Sequence, residues 1–337
     1  MVIIVVGLYV QPVDGGKLVD ISNNVKCPSY LGYVAPPMSD NGDSTTSHGI
    51  FNGGQLFVIP RRTCLIYNIE GSVNPRVVAC SGVSISGGDV HCSYSMFNQF
   101  WDKNRVAMEY DVFQVINSQP QGFGLFLQNA ANFFAISNQN VIGQCIKRIS
   151  VTFAGSYALG VGSDAVVFAH WNHPDASIYL DRGSMTIYAY NNNGEAVYTV
   201  TMDIVVFSNQ PPTPHDGGLT LWREDGVCVF SSRLPPLVWR GGYVDINSYP
   251  GAFVASNVPA EKPMVPLCSM GVHSSGPVLN GSYGMMFYAG FKMVNNQVTA
   301  WRSRQYRAWY EGALSLTEPY YQITPMSLPV IDAADYL

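Results

Sequence analysis

Two histidines three residues apart mark the first place where metal binding or proton transfer would be sought. They lie in His170-Trp171-Asn172-His173, with Asp164 and Asp175 nearby, and imidazole and carboxylate groups serve both chemistries. On a helix this spacing would place both rings on one face. The preceding Val166-Val167-Phe168 and the following Pro174 instead favour a strand that enters a turn, with the rings on opposite faces. We expect a polar loop here and no metal site.

A second oxygen-rich segment, Asp40-Asn41-Gly42-Asp43-Ser44, has the composition of a calcium-binding loop. It lacks the later bidentate glutamate of an EF-hand, so a solvated turn is predicted. The chain also shows no Gly-x-Ser-x-Gly elbow and no glycine-rich phosphate loop between a strand and a helix. The sequence therefore indicates no catalytic residue and no cofactor, and we expect a protein that is not an enzyme.

Aromatic residues and arginines are interleaved within one short segment near the C-terminus. Seven of its side chains are candidates for contact with a receptor or partner: Trp301, Arg302, Arg304, Tyr306, Arg307, Trp309 and Tyr310. Aromatic rings can stack on sugar rings while guanidinium groups bind phosphates, which would suit a polysaccharide or a pilus. The same residue types dominate contacts between subunits, and we favour that interpretation over a receptor contact. Whether residues 301–314 are a helix or a strand stays open at this point.

The composition narrows the class of protein. Only 12% of the 337 residues are charged, 47% are hydrophobic and the net charge is −5, so binding to duplex nucleic acid is not expected. Seven cysteines without a Cys-x-x-Cys pair predict buried thiols in a protein made in a reducing compartment. The apolar run 1–10 is interpreted as a buried first strand and not as a leader. No apolar run is long enough for a membrane helix, so no membrane insertion is expected.

The elements that must position these side chains are indicated by an internal repetition. Three segments begin with Gly, a hydrophobic residue at the second and fourth positions, and then a hydrophobic-Ser pair 12 to 14 residues further on. They are Gly7-Leu8-Tyr9-Val10 with Ile21-Ser22-Asn23, Gly124-Leu125-Phe126-Leu127 with Ile136-Ser137-Asn138, and Gly218-Leu219-Thr220-Leu221 with Phe230-Ser231-Ser232. Repetition on this scale predicts a chain built from similar units.

Period-two segments precede the second and third repeats and predict half-buried strands. Val106, Met108, Tyr110 and Val112 alternate with Glu109 and Asp111, and residues 198–206 alternate in the same way. Each segment runs into a Gln-Pro pair, which places boundaries near 120 and 214. Short strand candidates separated by Gly and Asn turns predict an all-β fold of tandem antiparallel β-sandwich units of immunoglobulin-like size.

The third repeat, GLTLWREDGVCVFSSR from Gly218 to Arg233, resembles a motif of small β-rich tail proteins of long-tailed, siphovirus-type bacteriophages. The resemblance covers three patches of the chain, and the first two depart from it at Asn23 and Asn138, where no Arg follows. It implies a structural or adhesive virion protein of the tail tip, baseplate or tail fibre, present in several copies around a symmetry axis. It also implies assembly in the host cytoplasm and localisation in the phage tail.

The expected domain order follows from the repeats and the resemblance. We predict a first unit at 1–120 that attaches to the tail, a second at 121–214, and a third at 215–318 that contacts the partner distally. Residues 319–337 contain Pro319, Pro325 and Pro329, which should prevent a helix and most sheet pairing. An extended C-terminal arm across a neighbouring subunit and a strap on the third unit are equally compatible with this segment.

The resulting functional hypothesis is multivalent attachment to the host cell surface. Its expected partners are further copies of the chain, first of all as a homotrimer, other tail proteins, and a bacterial polysaccharide or pilus. A purely structural tail or baseplate scaffold without receptor contact is the first alternative, and a surface-polysaccharide depolymerase is the second.

Overall fold

The structure, a computed structural model, describes residues 9–20, 25–50, 54–67, 75–97, 105–116, 124–129, 132–137, 140–275, 283–310 and 320–337. Within these residues the fold is nearly all β, and the sole helical element is a 3-10 turn at Ala333–Asp335. Every pairing between neighbouring strands is antiparallel. The predicted all-β class is therefore confirmed.

The strands are numbered β1 to β27 in chain order. The first eleven are β1 (Tyr9–Val10), β2 (Val19–Asp20), β3 (Ser29–Val34), β4 (Asp43–Ser47), β5 (Gln55–Arg62), β6 (Cys64–Tyr67), β7 (Arg76–Ser86), β8 (Asp89–Phe97), β9 (Glu109–Val115), β10 (Gly124–Asn129) and β11 (Asn132–Ser137). The next eight are β12 (Gln144–Ala154), β13 (Ser156–Ala158), β14 (Val166–Trp171), β15 (Ser177–Asp181), β16 (Thr186–Tyr190), β17 (Thr199–Ser208), β18 (Thr220–Trp222) and β19 (Cys228–Ser231). The last eight are β20 (Gly242–Ile246), β21 (Val254–Ala255), β22 (Pro263–Pro266), β23 (Gly271–Ser275), β24 (Tyr283–Val294), β25 (Gln297–Tyr310), β26 (Tyr321–Ile323) and β27 (Met326–Asp332).

The N-terminal part of the molecule, strands β3 to β9, contains a three-stranded sheet and a four-stranded sheet. Their strand orders are β3-β9-β5 and β4-β8-β7-β6. Tyr110 and Val112 of β9, and Met108 just before it, lie in the largest core cluster, as the period-two pattern predicts for the inner face. The opposite face is not open to water: Asp111 is fully buried in an ion pair with Arg61, at 2.7 Å. The prediction of a half-buried strand is wrong for β9 because an ion pair and further apolar packing cover its second face.

The C-terminal part is a sandwich of two larger sheets. One has the order β12-β17-β14-β22-β27-β20. The other has the order β13-β16-β15-β24-β23-β26, with β25 added to β24 and β21 added to β25. Both sheets combine strands from before and after residue 214, so the predicted boundary between a second and a third unit is wrong. Burial explains this, because β14 and β17 need the strands after 214 to cover both of their apolar faces.

One core cluster joins the two parts of the molecule. Tyr110 and Val112 of β9 belong to the same buried cluster as Trp171 of β14 and Phe291 of β24. A second cluster unites Phe113 of β9 with strands and loops of the C-terminal part. The core is thus continuous across positions 120 and 214, and the expectation of three independent sandwich units is not met. The point at 120 itself lies outside the described residues.

The internal repetition corresponds to a recurring β-hairpin. Strand pairs β1–β2, β10–β11 and β18–β19 each form a separate two-stranded sheet at the three repeated segments. The opposed residues at equivalent positions are Tyr9 with Asp20, Phe126 with Ala135, and Thr220 with Ser231. When the repeats are aligned, the first two hairpins have the same register and the third is shifted by two residues. The repeated structural unit is therefore the hairpin and not a sandwich.

The C-terminal segment is an integral part of the sheets. Strand β27 lies between β22 and β20, and Leu328, Val330 and Tyr336 are buried. Neither an arm on a neighbouring subunit nor a strap is needed, because the segment completes the six-stranded sheet of its own chain.

Pro329 fits into β27 because of the pairing geometry. It lies opposite Tyr243, whose backbone N–H donates to the side chain of Asn257 at 2.6 Å and whose carbonyl accepts from the Asn257 N–H at 2.9 Å. Both polar groups of Tyr243 therefore point away from β27. At such a non-hydrogen-bonded pair the missing N–H of proline removes no bond to the partner strand. The prediction that the prolines prevent sheet pairing is wrong at this position.

Candidate functional site

All seven predicted contact residues lie on one strand, β25, and not on a helix. The strand pairs with β24 along its length, with register shifts next to Phe287. Because side chains alternate across a strand, these residues cannot form a single surface. The structure places Trp301 and Arg302 in one cluster and Arg304 and Tyr306 in another. Arg307, Trp309 and Tyr310 pair through their backbones with β24, and their side chains are not among those that the structure describes.

Trp301 is the centre of the first cluster. Its indole Nε1 donates a hydrogen bond to Oδ1 of Asn192 at 2.8 Å. The ammonium of Lys292 lies 5.0 Å from the ring centroid, within the range of a cation–π interaction. Gly251, with φ of +85°, lies so close to the ring that a Cβ there would be 2.9 Å from Cζ3. These contacts fix one indole orientation on a half-buried part of the sheet.

Aromatic rings continue from Trp301 across neighbouring strands. The His273 ring lies 5.7 Å from Trp301 and stacks on Tyr321 at 6.3 Å, and Tyr249 lies 5.8 Å from Tyr321. Tyr249 is 65% exposed, so this end of the row is open to solvent. We call Tyr249, His273, Trp301, Arg302 and Tyr321 the Trp301 site.

The electrostatics of the Trp301 site are cationic. The guanidinium of Arg302 lies 5.9 Å from the Trp301 ring and 5.7 Å from that of Phe287. Burial, and secondarily the charge of Arg302, lower the pKa of His273 to about 4, so its imidazole is neutral at pH 7. Burial also lowers the pKa values of Lys292 and Arg302. Within the described residues neither cation forms an ion pair with a carboxylate. Lys292 is buried and donates to Oδ1 of Asn192 at 3.5 Å, whereas Arg302 is half-buried, so Arg302 is the cation more accessible to an anionic group.

The second cluster is made of tyrosines and one ion pair. Arg304 is exposed and lies 3.5 Å from Asp181. Tyr306 packs edge-on against Tyr288 at 5.9 Å, and Tyr288 contacts Tyr179 at 6.1 Å. Tyr179 and Tyr288 also lie close to β6 and β7 of the N-terminal part, where Cys64 and Val77 are buried. This cluster is a packed junction between the N-terminal and C-terminal parts. Arg304 and Tyr306 belong to it and not to the Trp301 site.

Sequence spacing could not identify several members of the Trp301 site. His273, Tyr321 and Tyr249 come from β23, from β26 and from the loop after β20, and only sheet pairing and loop folding bring them together. One local signal was present: the Tyr249-Pro250-Gly251 turn places an aromatic residue and a glycine side by side. That signal predicts a turn, but it does not predict which ring the glycine will contact.

The other segments considered for chemistry have structural roles. His170 is in β14 and bonds Asn296 at 3.0 Å, whereas His173 accepts from the backbone of Ala176 at 2.9 Å in the following turn. This confirms a strand that enters a turn. Residues 39–42 form a turn before β4, as predicted. The seven cysteines are free and buried, which confirms their prediction as core residues. Among the described residues no three His, Cys, Asp or Glu side chains are grouped as metal ligands.

The Trp301 site can stack a flat apolar surface and hold a negative charge beside it. The indole and tyrosine rings can supply the apolar contact, and Arg302 can supply charge-assisted hydrogen bonds. A sugar with a carboxylate or phosphate substituent combines both features. The site holds no acid–base pair at reacting distance among its described members.

In the part of the chain that the structure describes, no helix has the length and apolarity to span a membrane.

Comparison with known proteins identifies a family but no activity. No curated protein and no solved structure matches the chain. The model of DUF6453, described as a family of unknown function, matches residues 7–311, so the chain belongs to the DUF6453 family.

Proposed function

We propose that this protein is a bacteriophage virion component of the tail tip, baseplate or tail fibre, and that it attaches the particle to the host cell surface. The observation that carries the attachment role is the Trp301 site, with its row of rings and the half-buried Arg302, which forms no ion pair within the described residues. The proposed ligand is an anionic polysaccharide of the bacterial surface. The virion assignment is supported by the motif from Gly218 to Arg233.

That motif forms the hairpin β18–β19 in the structure. Trp222 is 49% exposed, and Arg223 pairs with Asp225 at the exposed tip at 2.5 Å. Strand β19 is buried against the rest of the chain, whereas β18 and the turn carry an exposed aromatic residue and a charged tip. This exposed side of the hairpin is a suitable contact element between subunits of a tail. The similar hairpin β10–β11 supports a repeated contact of this kind.

Attachment by this route is multivalent. One Trp301 site offers a small contact, and weak binding of a single sugar is expected from it. Several copies on one particle raise the avidity by roughly 10² to 10⁴ without further contacts, provided that they reach the surface together. A homotrimer is the proposed arrangement, and multi-angle light scattering of the full chain measures the copy number directly.

A purely structural scaffold is the second candidate, and one observation favours it. Trp301 and Arg302 are half-buried and already have partners within the chain, as residues at a subunit interface commonly do. In that case a neighbouring tail protein, and no receptor, would cover Tyr249 and the rest of the row.

Competition for adsorption distinguishes the two candidates. Purified full-length protein is added to host cells, and adsorption of the corresponding phage is measured by counting free particles. Attachment predicts that the protein reduces adsorption, and that Tyr249→Ala and Trp301→Ala weaken the competition by about tenfold or more, since each removes a stacking ring. Tyr33→Ala is the matched control, because it removes an exposed aromatic ring outside both the Trp301 site and the hairpin β18–β19.

The outcomes are separable. Absence of competition by the wild type contradicts attachment and leaves the scaffold role, which immunogold labelling of the tail then tests. Equal competition by wild type and Tyr249→Ala contradicts the assignment to the Trp301 site. Labelling of the capsid in place of the tail would contradict both candidates.

A further inference from the structure

A small charged cavity lies where the N-terminal part meets the C-terminal sandwich. Its volume is about 180 Å³, and Arg61, Arg62 and Glu109 line it from one side. Asp181 and Arg182, at the end of β15, line it from the other. The cavity is separate from the Trp301 site, and the proposed attachment does not use it.

Arg182 carries an unused pair of donors. Its Nη1 donates to the carbonyl of Ala165 at 2.9 Å, but Nε and Nη2 are buried without a hydrogen-bond partner among the described residues. These two N–H groups form the edge of the guanidinium that binds carboxylates and phosphates in bidentate fashion. Arg61 shows the same edge in use: its Nε and Nη2 donate to Asp111 at 2.9 and 2.7 Å.

The charges around the cavity leave Arg182 as the unbalanced group. Arg61 is paired with Asp111, Arg62 with Glu109 at 2.6 Å, and Arg304 with Asp181. Burial lowers the pKa of Arg182, yet a guanidinium stays protonated in proteins. A buried cation with two free donors is unfavourable unless an anion compensates it. Arg62 lines the same cavity, and its Nε is a further buried donor without a hydrogen-bond partner among the described residues.

We propose that this cavity is an oxyanion-binding site in which Arg182 holds a carboxylate, phosphate or sulfate group through Nε and Nη2. The cavity volume accommodates such a group but no large ligand. Arg62 supplies a third donor, and the bound anion joins the two parts of the molecule across their junction. The ligand is either a free inorganic anion or an acidic substituent of a larger molecule that reaches the cavity.

Isothermal titration calorimetry with the full chain tests this site. Phosphate, sulfate and acetate are titrated separately at constant ionic strength, with chloride as the balancing anion. We expect saturable one-to-one binding of at least one of the three. Arg182→Gln should weaken the anion affinity by about tenfold or more, because the variant lacks the Nε and Nη2 donors and the positive charge. Arg182→Lys, which keeps the charge but loses the fork, should weaken it by about fivefold. Arg223→Gln, at an exposed arginine, is the matched control and should bind like the wild type.

Each result decides the proposal. No saturable binding of any of the three anions by the wild type overturns it, as does binding that both Arg182 variants retain. If both variants fail to fold, Arg62→Gln takes their place, and a loss of about threefold or more supports the site, whereas unchanged affinity overturns it. Preference for phosphate and sulfate over acetate indicates a tetrahedral anion, and the reverse preference indicates the carboxylate of a larger acidic molecule.

Discussion

His273 shows how much of this molecule's chemistry depends on placement and not on residue type. In the sequence it is a lone histidine without a neighbouring motif. In the structure it lies between Trp301 and Tyr321, is 9% exposed, and has an Nδ1 without a hydrogen-bond partner among the described residues. No pattern of spacing predicts this, because the two rings that enclose it belong to strands distant along the chain.

The low pKa of His273 predicts a loss of stability in acid. The folded-state pKa is about 4 against an ordinary value of 6.5, so the unfolded chain binds the proton more readily. Stability is complete above pH 6.5 and falls as the pH decreases towards 4, by about 3 kcal/mol at most. Urea unfolding of the wild type and of His273→Gln at pH 7.5 and 4.5 measures this difference.

We expect the His273→Gln variant to lose less stability between these two pH values than the wild type does. Val112→Ala is the control, since it weakens the core at β9 and removes neither a titrating group nor the residue paired with His273, and it should keep the wild-type pH dependence. An identical acid response of wild type and His273→Gln would contradict the assignment.

At the scale of elements, the sequence predicted strands well and their partners poorly. Strands β9 and β17 were predicted from the local alternation of apolar residues, whereas the repeats were interpreted as sandwich units and not as hairpins. Local patterns do not encode that β27 lies between β22 and β20, or that Pro329 meets a residue whose polar groups point elsewhere. Pairing between strands so far apart in the sequence depends on how completely each sheet face is buried, and local sequence patterns do not contain that information.

The integration of β27 predicts a large cost for truncating one of its buried side chains. Leu328 is fully buried in the main core cluster, so Leu328→Ala should lower the free energy of unfolding by about 2–5 kcal/mol. Ser327→Ala, at the exposed neighbour on the same strand, should cost about 1 kcal/mol or less through its lost hydrogen bond. Equilibrium denaturation in urea compares both variants with the wild type, and equal small losses would show that this strand does not pack as described.

At the scale of the whole molecule, the continuous core replaces the expected series of copied sandwiches. Tyr110 and Trp171, on either side of position 120, share one cluster, and strands from both sides of 214 share both large sheets. The proposed role therefore depends on the Trp301 site and on the hairpin motif. The expected number of sandwich units no longer supports it. The sequence repetition, from which copied sandwich units were predicted, corresponds instead to the three hairpins.

A shared core predicts that the two parts unfold together. Differential scanning calorimetry should show one transition whose calorimetric and van't Hoff enthalpies agree. Val112→Ala, in the N-terminal part of the cluster, should move the entire peak to lower temperature because its cavity weakens the common core. Two separate peaks, with only one displaced by this variant, would contradict the continuous core.

Gly251 lies against the indole of Trp301 with no room for a side chain. Any substitution there strains the backbone at a positive φ and pushes the ring from its position. Under the proposed attachment role, a substitution of Gly251 would alter binding by displacing the Trp301 ring, without changing any of the residues that define the Trp301 site.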